Sequence, residues 1–501
     1  MNAKKLFLII WGLGLFGMGV RETLDPDMWW HLRTGEAILR DGWPQHDIFS
    51  FTVPHHPWVT HEWLSQVIMW LVYRVGGLLG LMVWAAVLVV ATFAALLAAA
   101  LTASRHSGMS QPKQLYLPAF FVLWGAIASA IVWGARPQMF NLLFGAIFVL
   151  LLERIRAGHG GIRQGWWLVG LTAVWANLHS GYLFGVVLLA TFTLSEVTQR
   201  WRQPGNGALM GWPTLRRLAL TTVGCFLAAA LNPSGTAIWF YPFATLGSAA
   251  MQSYIQEWQP PTLGAIEFWP FFVLLVLVLL LLQRDGRKRR RQMPEVAKTS
   301  EVWVYPAPFW SDGALVLGTA VASLGSARHI PLFVLVAVPA VVRLVDWRLE
   351  IRDGRSANVT RHWMNMGIVG VVLLVVGGWT AVKVAGNEVA IAQRYPVAAV
   401  DFLQAQGLVR GYNSYNWGGY LIWRGLPVFV DGRADVYGDP FLQLYRQTFE
   451  GQVGWERPLD DYAVQYVLIE RDAVLAQLLA TSPRWTEAYQ DELAQIFTRT
   501  P

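Results

Sequence analysis

The chain has 501 residues, of which 54% are hydrophobic and only 14% charged, with a formal net charge of +7. Soluble globular proteins carry about 25% charged residues, so an ordinary water-soluble enzyme is excluded. The apolar residues form blocks of about 20, the length that crosses about 30 Å of hydrocarbon. The single cysteine, Cys225, lies inside such a block and rules out an internal disulfide framework. The 27 Trp suit both membrane interfaces and stacking platforms.

The predicted elements are those of a polytopic α-helical membrane protein with about eleven transmembrane helices. The spans lie near 6–21, 79–103, 115–133, 139–153, 166–179, 181–196, 218–231, 266–283, 314–328, 331–345 and 366–384. The first has no small-residue cleavage site and is followed by Arg21-Glu22, so it is expected to stay as an anchor. Residues 63–77 are apolar but short and contain Arg74, which predicts a helix lying at or re-entering from the outer interface.

Lys and Arg set the orientation. Lys4, Lys5, Arg105, Lys113, Arg154, Arg156, Arg163, Arg200, Arg202, Arg216, Arg217, Arg284, the run Arg287 to Arg291, Lys298, Arg343, Arg348, Arg352, Arg355 and Arg361 fall on one side. By the positive-inside rule that side is the cytoplasm, and the N-terminus lies there. The expected division is a transmembrane domain, 1–385, with a large outer loop, 22–78, followed by an extracytoplasmic α/β domain, 386–501. The last segment is acidic where the rest is basic. In it Val428-Phe429-Val430 and Tyr466-Val467-Leu468-Ile469 read as buried strands, and 396–406 and 472–480 as helices.

The polar residues collect at the outer ends of the spans. Asp25 and Asp27 follow span one. Such a pair can hold a divalent cation, with Asp27 as the ligand. Alternatively one carboxylate takes a proton while the other orients it, or the pair caps the helix that starts near Trp30. Glu62, between His61 and Trp63, offers a further catalytic carboxylate or an interfacial anchor; position 65 is Ser, so the two-His zinc signature is incomplete. Arg136, with Pro137 and Gln138, suits a phosphate leaving group or snorkels to headgroups, and Arg328 with His329 has the same two readings. His179 with Asn177 reads as a hydrogen-bonded pair between helices or as a substrate contact. Glu257-Trp258 can present a carboxylate and an indole to a sugar. Asp431, Arg433 and Asp435 read as a structural network at a strand end or as a carbohydrate contact. Ionisable groups at membrane depth are costly and usually functional; if the bundle closes, those at the outer ends converge on one cavity.

The stretch Asp25-Pro26-Asp27-Met28-Trp29-Trp30-His31-Leu32-Arg33-Thr34-Gly35, with Trp58-Val59-Thr60-His61-Glu62-Trp63-Leu64 before span two, resembles the GT-C class of membrane glycosyltransferases. It is most similar to a bacterial group that opens with D-x-D-x-W-W-H-L-x-T-G, and distantly to protein O-mannosyltransferases, aminoarabinose transferases and oligosaccharyltransferase catalytic subunits. The resemblance implies an inverting transferase at the outer face of a bacterial inner membrane. Its donor would be a polyprenyl-phosphate-linked sugar and its acceptor a glycan, lipid or protein; no nucleic-acid partner is expected. Asp25 or Asp27 matches the catalytic acidic motif, which in some members of the class binds Mg or Mn and in others needs no metal, with Glu62 as further acid. Trp30, His31, His61, Arg136, Gln138, Asn177, His179, Glu257, Arg328 and His329 are the expected substrate contacts. Glu62-Trp63-Leu64 stands where mannosyltransferase-like members carry a Pro-Pro-Leu type motif. The alternative is a non-enzymatic scaffold or carrier subunit of an envelope or respiratory assembly.

Overall fold

The computed structural model describes residues 2–54, 56–105, 113–159, 162–207, 209–296, 309–345 and 362–500. The basic positions Lys298, Arg348, Arg352, Arg355 and Arg361 lie outside the described residues. The chain is a helical bundle joined to a small unit with a sheet. Its helices are α1 Ala3–Gly19, α2 Pro26–Asp41, α3 Trp63–Arg105, α4 Lys113–Ser129, α5 Met139–Arg154, α6 Ile162–Leu178, α7 Tyr182–Arg202, α8 Trp212–Ala228, α9 Ala237–Gly247, α10 Ala249–Tyr254, α11 Trp269–Val296, α12 Phe309–Gly325, α13 Ile330–Leu344 and α14 His362–Arg394.

Every predicted span overlies one of these helices. Among the described residues seven are long and apolar enough to cross a membrane: Trp63–Ser104, Leu115–Val132, Tyr182–Arg202, Trp212–Leu231, Ile266–Arg287, Ala327–Leu344 and Trp363–Arg394. The other four, α1, α5, α6 and α12, are 16 or 17 residues long, about 25 Å at 1.5 Å per residue. Gly77, at φ +58°, breaks α3 where residues 63–77 were expected to part from the following span. Only glycine takes that conformation without strain.

Apolar side chains all round α13 put it at the centre, because such a helix has no face for water. Phe333, Val334, Ala337, Val338 and Val341 are fully buried. Neighbouring helices approach it through glycine. A methyl group on Gly125 of α4 would come within 2.6 Å of Val334, and one on Gly145 of α5 within 2.7 Å of Leu335.

A second polar feature lies in the bundle. Arg343 reaches Glu153 and Asp312 at 2.5 Å each, and Arg156 reaches the same two carboxylates at 3.0 and 2.9 Å. Ser311 joins Arg156 to Glu196. Arg156 and Arg343 were expected only as charges that set topology. They also pin α5, α7, α12 and α13 together, because buried charges must be paired.

The C-terminal unit has helices α15 Val397–Gln406, α16 Gly418–Trp423, α17 Ala434–Phe449, α18 Arg457–Asp461 and α19 Val474–Thr481, and strands β1 Gly411–Asn413, β2 Tyr466–Glu470, β3 Trp485–Gln490 and β4 Ala494–Arg499. The sheet order is β1-β2-β4-β3, with β1 and β2 parallel and the other pairs antiparallel. The predicted strand at 466–469 is β2. Val428–Val430, also expected as a strand, is buried but stays out of the sheet. It pairs instead with the first loop: Phe51 N donates to Val428 O and Val428 N to Phe49 O, both at 3.2 Å. The Asn413 side chain occupies the groups that a sheet neighbour would use, accepting from Phe429 N and donating to Val430 O.

Loop 22–78 and the C-terminal unit share one core. Met28, Trp29, Trp30, Leu32 and Trp58 pack with Tyr395, Tyr420, Val428, Phe429 and Val430. Arg433 is its ionic pin. Its guanidinium grips Asp431 through two bonds of 2.8 and 2.7 Å and Asp47 at 2.5 Å, and lies 4.7 Å from the Trp58 ring centre. Arg433 is 1% exposed, so it has no face for a carbohydrate; the structural alternative for this motif holds.

Candidate active site

The acidic pair is set by a helix start. Asp25 caps α2, its Oδ1 accepting from Asp27 N at 2.9 Å, and Pro26 supplies the fixed φ that suits the first helical position. The capping alternative is therefore realised together with a charged role. Asp25 Oδ2 lies 3.0 Å from Arg136 Nη1, Asp27 Oδ2 lies 3.5 Å from Arg136 Nη2, and Glu257 Oε1 lies 2.6 Å from Nη1. Three expected segments thus meet on one guanidinium.

The two aspartates differ. Asp25 is closely held, whereas Asp27 keeps 27% of its side chain exposed and makes the longer contact to Arg136. Asp27 Oδ1 accepts from Trp30 Nε1 at 3.0 Å. Burial, reinforced by the Asp25 charge, pushes the Asp27 carboxyl up to about 7. Burial also raises Asp25, against the pull of Arg136. The C-terminal unit closes over this group. A methyl group on Gly432 would fall 1.9 Å from Asp27 Oδ1, one on Gly419 would fall 2.3 Å from Pro26 O, and Tyr415 donates to Gly432 O.

A second cluster centres on Glu62, which is buried among three histidines. Its Oε1 lies 3.0 Å from His61 Nε2 and 3.1 Å from His179 Nε2, and its Oε2 lies 3.6 Å from His31 Nε2. Burial opposes charge on His61, but its ring nitrogens have acceptors in Glu62 and Val59 O, and these with the Asp435 charge together raise its pKa. Burial opposes charge on Glu62, but His61 and His179 hold its carboxyl below the ordinary range. Burial drives His31 down to about 3, so that ring is neutral. His179 Nδ1 accepts from Gly181 N and Asn141 Nδ2, and His31 Nδ1 from Gln66 Nε2, which assigns their protons to the nitrogens that face Glu62. The Trp30 and His31 rings, 3.7 Å apart, link the two clusters.

The other expected contacts are placed differently. The expected His179–Asn177 pair does not form: Asn141 takes His179, while Asn177 accepts from Trp63 Nε1 at 2.7 Å. Gln138 donates to Val132 O and closes a turn rather than facing the acids. Arg328 lies over the Trp258 ring at 5.2 Å, with no carboxylate in ion-pair reach among the described residues. His329 donates to Ala322 O and sits near Trp258. Gly432, Asn141, Gln66 and Tyr241, which stacks on His61 at 4.0 Å, had no sequence signal of their own.

A divalent cation at the acidic pair meets a poor fit. The carboxylates that would bind it converge on Arg136, whose charge occupies the position. No group of three or more His, Cys, Asp or Glu with metal-binding geometry occurs among the described residues.

No family model and no curated protein sequence matches the chain. Solved structures do. The archaeal oligosaccharyltransferase AglB from Archaeoglobus fulgidus, in complex with an inhibitory peptide and a dolichol-phosphate, matches with a TM-score of 0.53 and 11% identity over 93% of this chain and 69% of that one. The Archaeoglobus fulgidus enzyme tethered to an acceptor peptide gives 0.54 and 11% over 94% and 69%. ArnT from Cupriavidus metallidurans bound to undecaprenyl phosphate gives 0.46 and 14% over 99% and 98%. At such identities the likeness is one of fold, and the chain has the fold of the GT-C membrane glycosyltransferases.

Proposed function

We propose that this protein transfers a sugar from a polyprenyl-phosphate donor to an acceptor hydroxyl at the outer face of a bacterial inner membrane, with inversion at the anomeric carbon. Asp27 carries the reading: a partly exposed carboxylate, fixed by Trp30 and Arg136, whose pKa of about 7 matches a general base at neutral pH. Asp27 removes the acceptor proton, the oxygen attacks the anomeric carbon, and the bond from that carbon to the phosphate oxygen breaks, its electrons leaving with the polyprenyl phosphate.

Arg136 is already matched by three carboxylates, so Arg328 is the cation assigned to the departing phosphate. Glu62 and its histidines, joined to Asp27 through the Trp30 and His31 rings, are assigned the polar contacts to the sugar. The excess of Lys and Arg on the opposite side supports an outer site, with the division between the bundle and the extracytoplasmic unit falling near 386.

Purified protein in liposomes is assayed for release of polyprenyl phosphate from labelled lipid-linked sugars. Asp27→Asn is expected to lower turnover by about 10²–10⁴-fold, the usual contribution of a general base, and Asp25→Asn to lower it through loss of the Arg136 contact. Full turnover in both variants, each folded, sinks the reading.

A further inference from the structure

We infer that Arg136 is a built-in counter-cation standing where a divalent ion would otherwise sit, so that the acidic pair works without metal. The inference deepens the transfer reading, but its binding test does not depend on that reading.

The carboxylates come from two separated places: the start of α2, with Asp25 as its cap and Asp27 in its first turn, and the loop before α11, with Glu257. Such groups do not gather without a cation between them, because three close negative charges repel. Here the cation is covalently part of the chain. Nη1 alone lies 3.0 Å from Asp25 Oδ2 and 2.6 Å from Glu257 Oε1, so it bridges two carboxylates as a metal does. Mg2+–oxygen bonds are about 2.1 Å. In place of that nitrogen, an ion would draw each of these oxygens in by less than about 1 Å. The site is therefore cation-shaped, yet its centre is filled by a side chain that keeps only 13% of its surface exposed.

The geometry also explains why a guanidinium serves. Its planar fork reaches Asp25 and Glu257 with one nitrogen and Asp27 with the other. It holds Asp27 loosely, at 3.5 Å, and so orients the carboxylate without engaging Oδ2 in a close ion pair. A divalent ion would bind Asp27 directly and leave it a weak base. Arg136 is thus a positioning residue for Asp27.

The test uses Mn2+ as the probe, read by electron paramagnetic resonance on full-length protein in nanodiscs. Wild type is expected to bind no Mn2+ at this site, and its turnover to survive a chelator. Arg136→Ala is expected to gain one Mn2+ per chain, lost again when Asp25→Asn is added. Arg136→Gln removes the charge with less loss of volume and is expected to gain the same Mn2+, which keeps the inference falsifiable if the alanine variant fails to fold, whereas Arg136→Lys keeps the charge and is expected to exclude it. Wild type binding one Mn2+ that Asp27→Asn or Asp25→Asn abolishes overturns the inference. So does a folded Arg136→Ala variant that takes up none, since the carboxylates then form no cation-shaped set. Loss of turnover in Asp27→Asn together with either overturning Mn2+ result would leave the transfer reading standing and the counter-cation refuted.

Discussion

Gly432→Ala tests whether the C-terminal unit sets the position of the reacting carboxylate. The new methyl carbon would lie 1.9 Å from Asp27 Oδ1. Gly432 is not among the positive-φ glycines, so the backbone accepts alanine and only the contact is at fault. Asp27 cannot swing away freely, because the same oxygen accepts from Trp30 and the other faces Arg136. The carboxylate or its loop must give by about 1 Å, and a misplacement of that size costs about 10²-fold in rate, or about 2.7 kcal/mol in barrier. Overpacking itself costs about 1–3 kcal/mol of stability. Turnover of a labelled lipid-linked sugar in liposomes, with kcat and KM for the donor separated, reads the effect. The expected result is a fall in kcat of about 10²-fold with donor KM little changed. Gly264→Ala, where the added carbon meets nothing within 4 Å, is the control. Wild-type kcat in folded Gly432→Ala protein would refute the claim that this loop fixes the base.

Four further outcomes are expected. Because the Asp27 carboxyl is raised to about 7, kcat/KM should fall as pH drops through 7 and level off above it, and a flat profile from pH 5 to 9 would count against Asp27 as base. The same shift has a stability sign: the unfolded carboxyl ionises near 3.8, so the folded protein loses this group's contribution as pH rises from about 4 to about 7, and Asp27→Asn should flatten that part of the Tm–pH curve. Arg433→Met leaves Asp431 and Asp47 buried without their cation and should cost about 3–5 kcal/mol in denaturant unfolding; a loss below about 1 kcal/mol would show that the pin carries little load. Arg343→Met should destabilise the bundle by a similar amount, about 3–5 kcal/mol, yet leave transfer per folded molecule unchanged, since α5 separates this network from Arg136.

The spans were legible because hydrocarbon thickness writes itself as apolar blocks, and even the break at Gly77 showed as a change in pattern. The acids at the start of α2 were legible for a similar local reason: Asp-Pro-Asp ahead of an amphipathic run is a helix start as well as a charged pair. What joins them is not local. Arg136 showed as an arginine at a span end, but its neutralisation by Glu257 depends on two loops 121 residues apart. Asp47 gave no hint that it would meet Arg433 from 386 positions away. Counting Arg156 and Arg343 for topology gave their side but not their partners. The run at 428–430 has the composition of a central strand, yet Asn413 uses up its hydrogen bonds, a competition that no composition records.

The core shared by α2 and the C-terminal unit imposes an order on assembly. Asp27 rides on a helix whose Trp29 and Trp30 stay uncovered until residues near 430 have been synthesised and have reached the same side of the membrane. Contacts of such long sequence separation form late. The first loop must therefore wait through the insertion of every later helix, and the site comes into being only as the last unit folds onto it. An incompletely assembled chain would hold lipid-linked sugar, if at all, without a positioned base. Finishing the fold is thus also what completes the surroundings of Asp27.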